Sequence, residues 1–154
     1  MSDLKKELSK ALNWESAHVG FQKATEGLRL EELGKLQDQQ PYTIWQLAEH
    51  IRIAQEDIID FCVNPNYQSA DWPDDYWPDT KAPSTEVQWE ECRSQVKKDR
   101  QRMISLIEDP TNELFKPFPH GDGQHLFRQA LLIIDHEAYH TGQIVLLRKL
   151  QGTW

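Results

Sequence analysis

Two histidines, His136 and His140, stand four residues apart in Asp135-His136-Glu137-Ala138-Tyr139-His140. On a helix that spacing projects both rings from one face, one turn apart, where they can share a metal ion. Burying imidazoles without partners costs on the order of 2 kcal/mol or more each, and ligation meets that need. The segment also spells His-Glu-x-x-His, a pattern in which two histidines hold zinc and the intervening glutamate, here Glu137, is the general base of a peptidase. The surrounding residues argue against that reading. Its extended form needs glycine at position 143 and histidine at position 146, where Gln143 and Leu146 stand. No Glu, Asp or His follows from Thr141 to Trp154 to supply a downstream third ligand. A peptidase also needs a strand to align its peptide, and the sequence offers no convincing one.

A third ligand must then come from upstream. His50, in Leu47-Ala48-Glu49-His50-Ile51, borders an apolar stripe and is the best candidate. His18, in Ala17-His18-Val19-Gly20-Phe21, is its competitor. With the helices carrying them antiparallel, His18 lies roughly 13 Å and His50 roughly 10 Å from the shared end, at about 1.5 Å per residue. His125 lies about 16 Å along the axis from His136. His120 and His125 are therefore expected in loop or helix-end roles.

The elements that must carry these residues are helical. Leu4, Leu8, Ala11, Leu12, Ala17, Phe21, Ala24 and Leu28 repeat at helical spacing, predicting a first helix from Asp3 to Leu28 with a break or kink near Asn13. A polar connector runs from Arg29 to Tyr42, with one extra turn ended by Gly34. Thr43 and Gln46 form a capping box for a second helix, which has Leu47, Ile51, Ala54, Ile58 and Phe61 on one face and ends at Asn64-Pro65. Thr85 caps a third helix with the stripe Trp89, Cys92, Val96, Met103 and Ile107, ended by Pro110. A fourth helix is expected from near Gly123, capped by Asp122, to about Leu150. Its Ala130-Leu131-Leu132-Ile133-Ile134 run is apolar almost all round, so more than one face needs covering. A subunit interface and a helix sandwiched by loops both satisfy that need.

Between the second and third helices lies a long segment, 64–83, containing Trp72-Pro73-Asp74-Asp75-Tyr76-Trp77-Pro78-Asp79. Loops of this length inside a compact domain are usually functional or disordered, and the aromatic content argues for order. The expectation is a loop pinned by its rings over one end of the helices. Its aspartates lack the spacing and glycine of a calcium loop.

Composition removes several classes of function. The 154 residues fit one domain, spanning 1–154. A net charge of −8 argues against nucleic acid and anionic membrane surfaces. Mean hydropathy of −0.72, with no long apolar run, argues against a spanning helix. Two cysteines, Cys62 and Cys92, and no apolar leader point to the cytoplasm. Six histidines and six tryptophans are many for so plain a chain.

Pro41-Tyr42-Thr43-Ile44-Trp45-Gln46-Leu47-Ala48-Glu49-His50-Ile51 and Asp135-His136-Glu137-Ala138-Tyr139-His140-Thr141-Gly142-Gln143-Ile144 resemble the DinB-like (DinB/YfiT) superfamily of metal-dependent proteins. Ala17-His18 with Phe21, the Trp-Pro-rich loop and Pro119-His120-Gly121-Asp122-Gly123-Gln124 extend the resemblance over most of the chain. It implies an all-α fold, a four-helix bundle of up-and-down type with a long ordered loop between helices two and three. It also implies one divalent ion, nickel or zinc, held by His50, His136 and His140. Three imidazoles leave coordination positions open, as in a catalytic rather than a structural site. His18 and Glu137 are candidate catalytic groups, although the family often has a non-acidic residue where Glu137 stands. His18, Tyr139, Gln143, Trp72, Tyr76 and Trp77 are candidates to line the pocket, with Gln143 also placed to hydrogen-bond a ligating imidazole.

Two functions remain open. One is a metal-dependent transferase or hydrolase acting on a small-molecule substrate, with a low-molecular-weight thiol as one possible partner. The other is a non-catalytic metal-binding stress or regulatory protein. The fourth helix and the habits of the family point to a homodimer.

Overall fold

A computed structural model describes residues 2–13, 17–36 and 40–154. The fold is all-α, with helices α1 (Asp3–Leu12), α2 (Phe21–Ala24), α3 (Leu30–Leu33), α4 (Ile44–Val63), α5 (Glu86–Glu108) and α6 (Leu126–Gln151). One 3₁₀ turn, Asp74–Tyr76, lies between α4 and α5. No described helix is long and apolar enough to cross a membrane.

Local chemistry explains most of the boundaries. Thr43 accepts from the Gln46 amide while the Gln46 side chain accepts from the Thr43 amide, so the predicted capping box starts α4. Thr85 accepts from the Gln88 amide and starts α5. The α4 stripe Leu47, Ile51, Ala54 and Ile58 is buried, with Phe61 at its end half-buried, and the α5 stripe Trp89, Cys92, Val96, Met103 and Ile107 is buried as well. Gly34 ends the short α3 as expected. At its C-terminus α6 closes on Gly152 in the left-handed region, φ 72°, where a side chain would be strained.

Two expected boundaries are corrected. The first helix does not run from Asp3 to Leu28: α1 ends at Leu12 with Asn13 as its cap, and a separate turn, α2, begins at Phe21. Trp14 to Ser16, inside the predicted helix, and residues 37–39, inside the predicted connector, lie outside the described residues. The cap of α6 is His125, not Asp122, because the His125 ring nitrogen Nδ1 accepts from the Arg128 amide at 3.2 Å. The three residues from Asp122 to Gln124 instead form a turn, in which the Gln124 side chain accepts from the Asp122 amide.

The helix directions depart from simple alternation. One apolar cluster joins the start of α4 (Ile44, Trp45, Leu47), the start of α5 (Trp89, Cys92, Val96) and the end of α6 (Ile144, Leu147). A second joins the end of α4 (Ile58, Ile59), the end of α5 (Met103, Ile104, Ile107), the start of α6 (Leu126, Ala130, Ile133) and α1 (Leu8, Leu12). So α4 and α5 run parallel, and α6 runs antiparallel to both. This corrects the alternating, up-and-down order implied by the family resemblance. The connection 64–85 must therefore travel back along the whole of α4, about 30 Å at 1.5 Å per residue. Its arrival is fastened at the α4 N-terminus, where the Thr43 hydroxyl donates to the Lys81 carbonyl and the Trp45 indole N–H to the Thr80 hydroxyl. That return path carries the Trp-rich segment past the middle of the bundle, against His50, and not over one end of the helices as expected.

The middle is polar. Between the two apolar clusters, Gln55 on α4, Arg100 on α5 and Glu137 on α6 meet, and the three histidines His50, His136 and His140 gather beside them.

Candidate metal centre

His50 comes from α4, and His136 and His140 come from successive turns of α6. Each offers a ring nitrogen, and the three nitrogens lie within 4.8 Å of one another. The rings meet edge to face, with centroids 4.5 to 4.7 Å apart. Antiparallel packing of α4 on α6 brings His50 level with the pair.

Hydrogen bonds set the tautomers. His50 Nδ1–H donates to the Tyr76 carbonyl at 2.7 Å, which turns the Nε2 lone pair toward the cluster. His140 Nδ1–H donates to Gln143 Oε1 at 2.6 Å, with the same consequence for its Nε2. The Nε2 atoms of His136 and His50 stand 3.0 Å apart. Two nitrogens that each lie about 2.1 Å from one ion are at most about 4.2 Å apart, so this pair is within reach of a shared ion. The buried Nδ1 of His136 has no hydrogen-bond partner among the described residues.

The cluster is held neutral. Burial, reinforced by the neighbouring His140 and His50, pushes the His136 imidazole down from 6.5 to about 3. Burial also lowers His50, against the opposing pull of the Tyr76 carbonyl. His140 is lowered by burial while Gln143 pulls the other way. Neutral imidazoles are the form that ligates, and no carboxylate joins the three nitrogens among the described residues.

The long loop closes over the site. Trp77 lies parallel to His50, with ring centroids 3.9 Å apart and planes 3° apart, and also stacks on Tyr42 at 4.1 Å. Trp72 stands 6.4 Å from His50 and 5.2 Å from Tyr76. The buried Tyr76 is anchored by its hydroxyl, which donates to Asp57 at 2.8 Å; Tyr67 donates to the other Asp57 oxygen at 2.8 Å. Tyr139 lies edge-on to His140 at 4.9 Å, but its side chain is exposed.

Glu137, next to His136 in sequence, faces elsewhere. Its buried carboxylate accepts from Arg100 at 2.9 Å and from Gln55 at 2.6 Å. Burial raises its pKa, with Arg100 and Gln55 opposing. His18 is exposed, with Nδ1 3.2 Å from the Val19 carbonyl, and is not among the three clustered histidines. The equal depth expected for His18 assumed a continuous first helix, and α1 ends before reaching it. His120 donates to the Phe61 carbonyl at 2.8 Å, and His125 caps α6, both in the structural roles expected of them.

Sequence reasoning missed Asp57, Arg100 and Gln55. Asp57 was findable, since seven residues after His50 is the same face of α4. Arg100 and Gln55 carried no such signal, because their partner is a residue distant in sequence.

An all-α protein with three neutral imidazoles converging from two helices belongs to the class of helical proteins equipped to hold a divalent ion. The sequence profile of the DinB superfamily matches residues 13–144, and the chain belongs to that superfamily. Comparison with curated proteins and with solved structures gives no significant match.

Proposed function

We propose that His50, His136 and His140 hold one divalent ion, nickel or zinc, and that the protein is a metal-dependent transferase or hydrolase of a small molecule. The observation that carries this reading is the convergence of three neutral ring nitrogens with no carboxylate among them, which leaves coordination positions for an outside ligand. When bound, the ion supplies Lewis acidity that acidifies a thiol or a water molecule. The chain supplies the rest. Tyr76 and Gln143 hold the Nδ1 protons of His50 and His140, and Trp77 keeps water off one face of His50. A low-molecular-weight thiol is the co-substrate we favour.

A second reading, a non-catalytic metal-binding regulatory or stress protein, is favoured by one observation. Glu137, the acid nearest in sequence to the pair, is occupied by Arg100 and Gln55. We further place the protein in the cytoplasm as a homodimer. Its two cysteines are free, and α6 exposes Leu131, Tyr139, Leu146 and Leu150 along one side, a patch of the kind that marks an interface.

Metal analysis of protein purified without an affinity tag should find about one divalent ion per chain. His136→Ala should abolish it while leaving the helical circular-dichroism spectrum intact. A wild-type protein that takes up neither zinc nor nickel at neutral pH sinks both readings. A panel of thiols with electrophiles then separates them: turnover that depends on the metal marks the enzyme, and an inert metal-loaded protein marks the binder. Light scattering tests the homodimer, which a monomeric mass would exclude.

A further inference from the structure

Beside the histidine cluster lies a recess of about 250 Å³ walled by Ala54 and Ile58 of α4, Trp72 and Tyr76 of the loop, and Leu132 and His136 of α6, with Asp57 at its edge. Three features set it apart from the rest of the surface. It reaches one of the three clustered imidazoles directly. Its walls are apolar, and its single charge is already engaged, because both Asp57 oxygens accept tyrosine hydroxyls. Finally, it displays large apolar side chains to water: Trp72 is 69% exposed, the highest value among the exposed large hydrophobics, and Leu132 is 42% exposed.

An apolar ring held in solvent beside a polar centre loses the hydrophobic stabilisation it would gain under cover. Trp72 is nonetheless held at this position by its contact with the buried Tyr76. A recess of this size is at the small end for ligand sites and holds a group on the order of one aromatic ring.

We infer that the recess is the specificity pocket of the metal centre, and that the substrate carries a compact apolar arm, an aryl or short branched alkyl group, beside the atom directed at the ion. This rests on the metal-centre reading. Leu132 and His136 lie one turn apart on α6, so an arm against Leu132 places its attached polar atom at the level of the imidazoles. Trp72 covers the arm from the loop side, and Ile58 and Ala54 form the floor. Charged or strongly hydrated arms are disfavoured, because the recess offers them only the Asp57 carboxylate, whose two oxygens already accept hydroxyls, and the single imidazole of His136 to replace their water.

Two zinc-binding probes with the same head and different tails test this. Zinc-loaded protein is titrated calorimetrically with acetohydroxamate and with benzohydroxamate, and zinc content is measured on the same samples. Wild type should bind benzohydroxamate about tenfold or more tightly than acetohydroxamate. In Trp72→Ala and in Leu132→Ser that ratio should fall to within about twofold, with zinc still at about one per chain. Trp72→Phe should keep most of the preference. Both side chains are exposed, so their replacement leaves the core intact. A ratio near one in zinc-loaded wild type, or a tenfold ratio that survives both Trp72→Ala and Leu132→Ser, overturns the specificity pocket and leaves the metal centre standing. Failure of the wild type to retain either zinc or nickel overturns the metal centre, and the pocket with it.

Discussion

His136 and Glu137 are neighbours in sequence, yet they belong to two buried polar clusters of opposite kinds. Glu137 sits in a charge-paired one: its oxygens accept from Arg100 and Gln55, and positive charge meets negative inside the bundle, with only Gln55 Oε1 left without a partner among the described residues. His136 sits in an open one: ring nitrogen faces ring nitrogen, one nitrogen has no partner among the described residues, and no charge balances another. A buried polar cluster whose charges are paired holds helices in register. One in which ring nitrogens face each other with no charge between them is completed from outside. Turning about 100° along one helix separates these roles, so adjacent residues serve structure and chemistry independently.

Breaking the charge-paired cluster should have the largest effect. Arg100→Met strands the Glu137 carboxylate in the core and should cost about 3–5 kcal/mol of unfolding free energy, measured by urea denaturation. Replacing both partners, Arg100→Met with Glu137→Leu, should recover most of that loss. If the single variant is as stable as wild type, the charge-paired cluster is not the fastening described here.

A smaller effect is expected at the edge of the open cluster. Gln143→Leu removes the acceptor that orients His140, and should weaken metal binding by about ten- to a hundredfold, with little change in the urea midpoint of the metal-free protein. Competition with a chromogenic chelator measures the affinity. Equal loss of affinity and of metal-free stability would mean that Gln143 braces the fold rather than the ligand.

The smallest effect is on acidity. Because the folded-state pKa of His136 lies below its ordinary 6.5, at about 3, the unfolded chain takes up the proton first. The contribution to stability is therefore complete above 6.5 and is lost as the pH falls toward 3. Between pH 7.5 and pH 6 the metal-free protein should lose about 0.8 kcal/mol through this imidazole. Urea denaturation at the two pH values checks it, and His136→Leu should remove that part of the slope. A wild type whose stability rises on acidification would contradict a neutral, buried His136.

Much of this was legible in residue order. The His136–His140 pair follows from helical periodicity, the caps at Thr43 and Thr85 from side-chain chemistry, and the buried stripes of α4 and α5 from apolar spacing. These are short-range signals, encoded within a few residues. The misread regions lack them. The segment around His18 has helical spacing, but residues 17–20 are bent and extended rather than helical, and the cap of α6 lies three residues beyond the expected one because a histidine ring serves as the acceptor. Pairing of Glu137 with Arg100 joins residues far apart in sequence, and nothing near either one marks the other.

Residue order alone determined that this chain is helical, acidic and supplied with histidines at a metal-sharing interval, since helix periodicity and side-chain chemistry are local properties. The tertiary structure decided which upstream histidine joins the pair. It did so through the parallel course of α4 and α5, which sends residues 64–85 back along α4, and through the antiparallel packing of α6, which sets His50 level with His136 and His140. The same return path lays Trp77 on His50 and Trp72 beside the recess. Helix direction is a property of the packed whole, settled by which apolar faces meet, and no stretch of a few residues contains it.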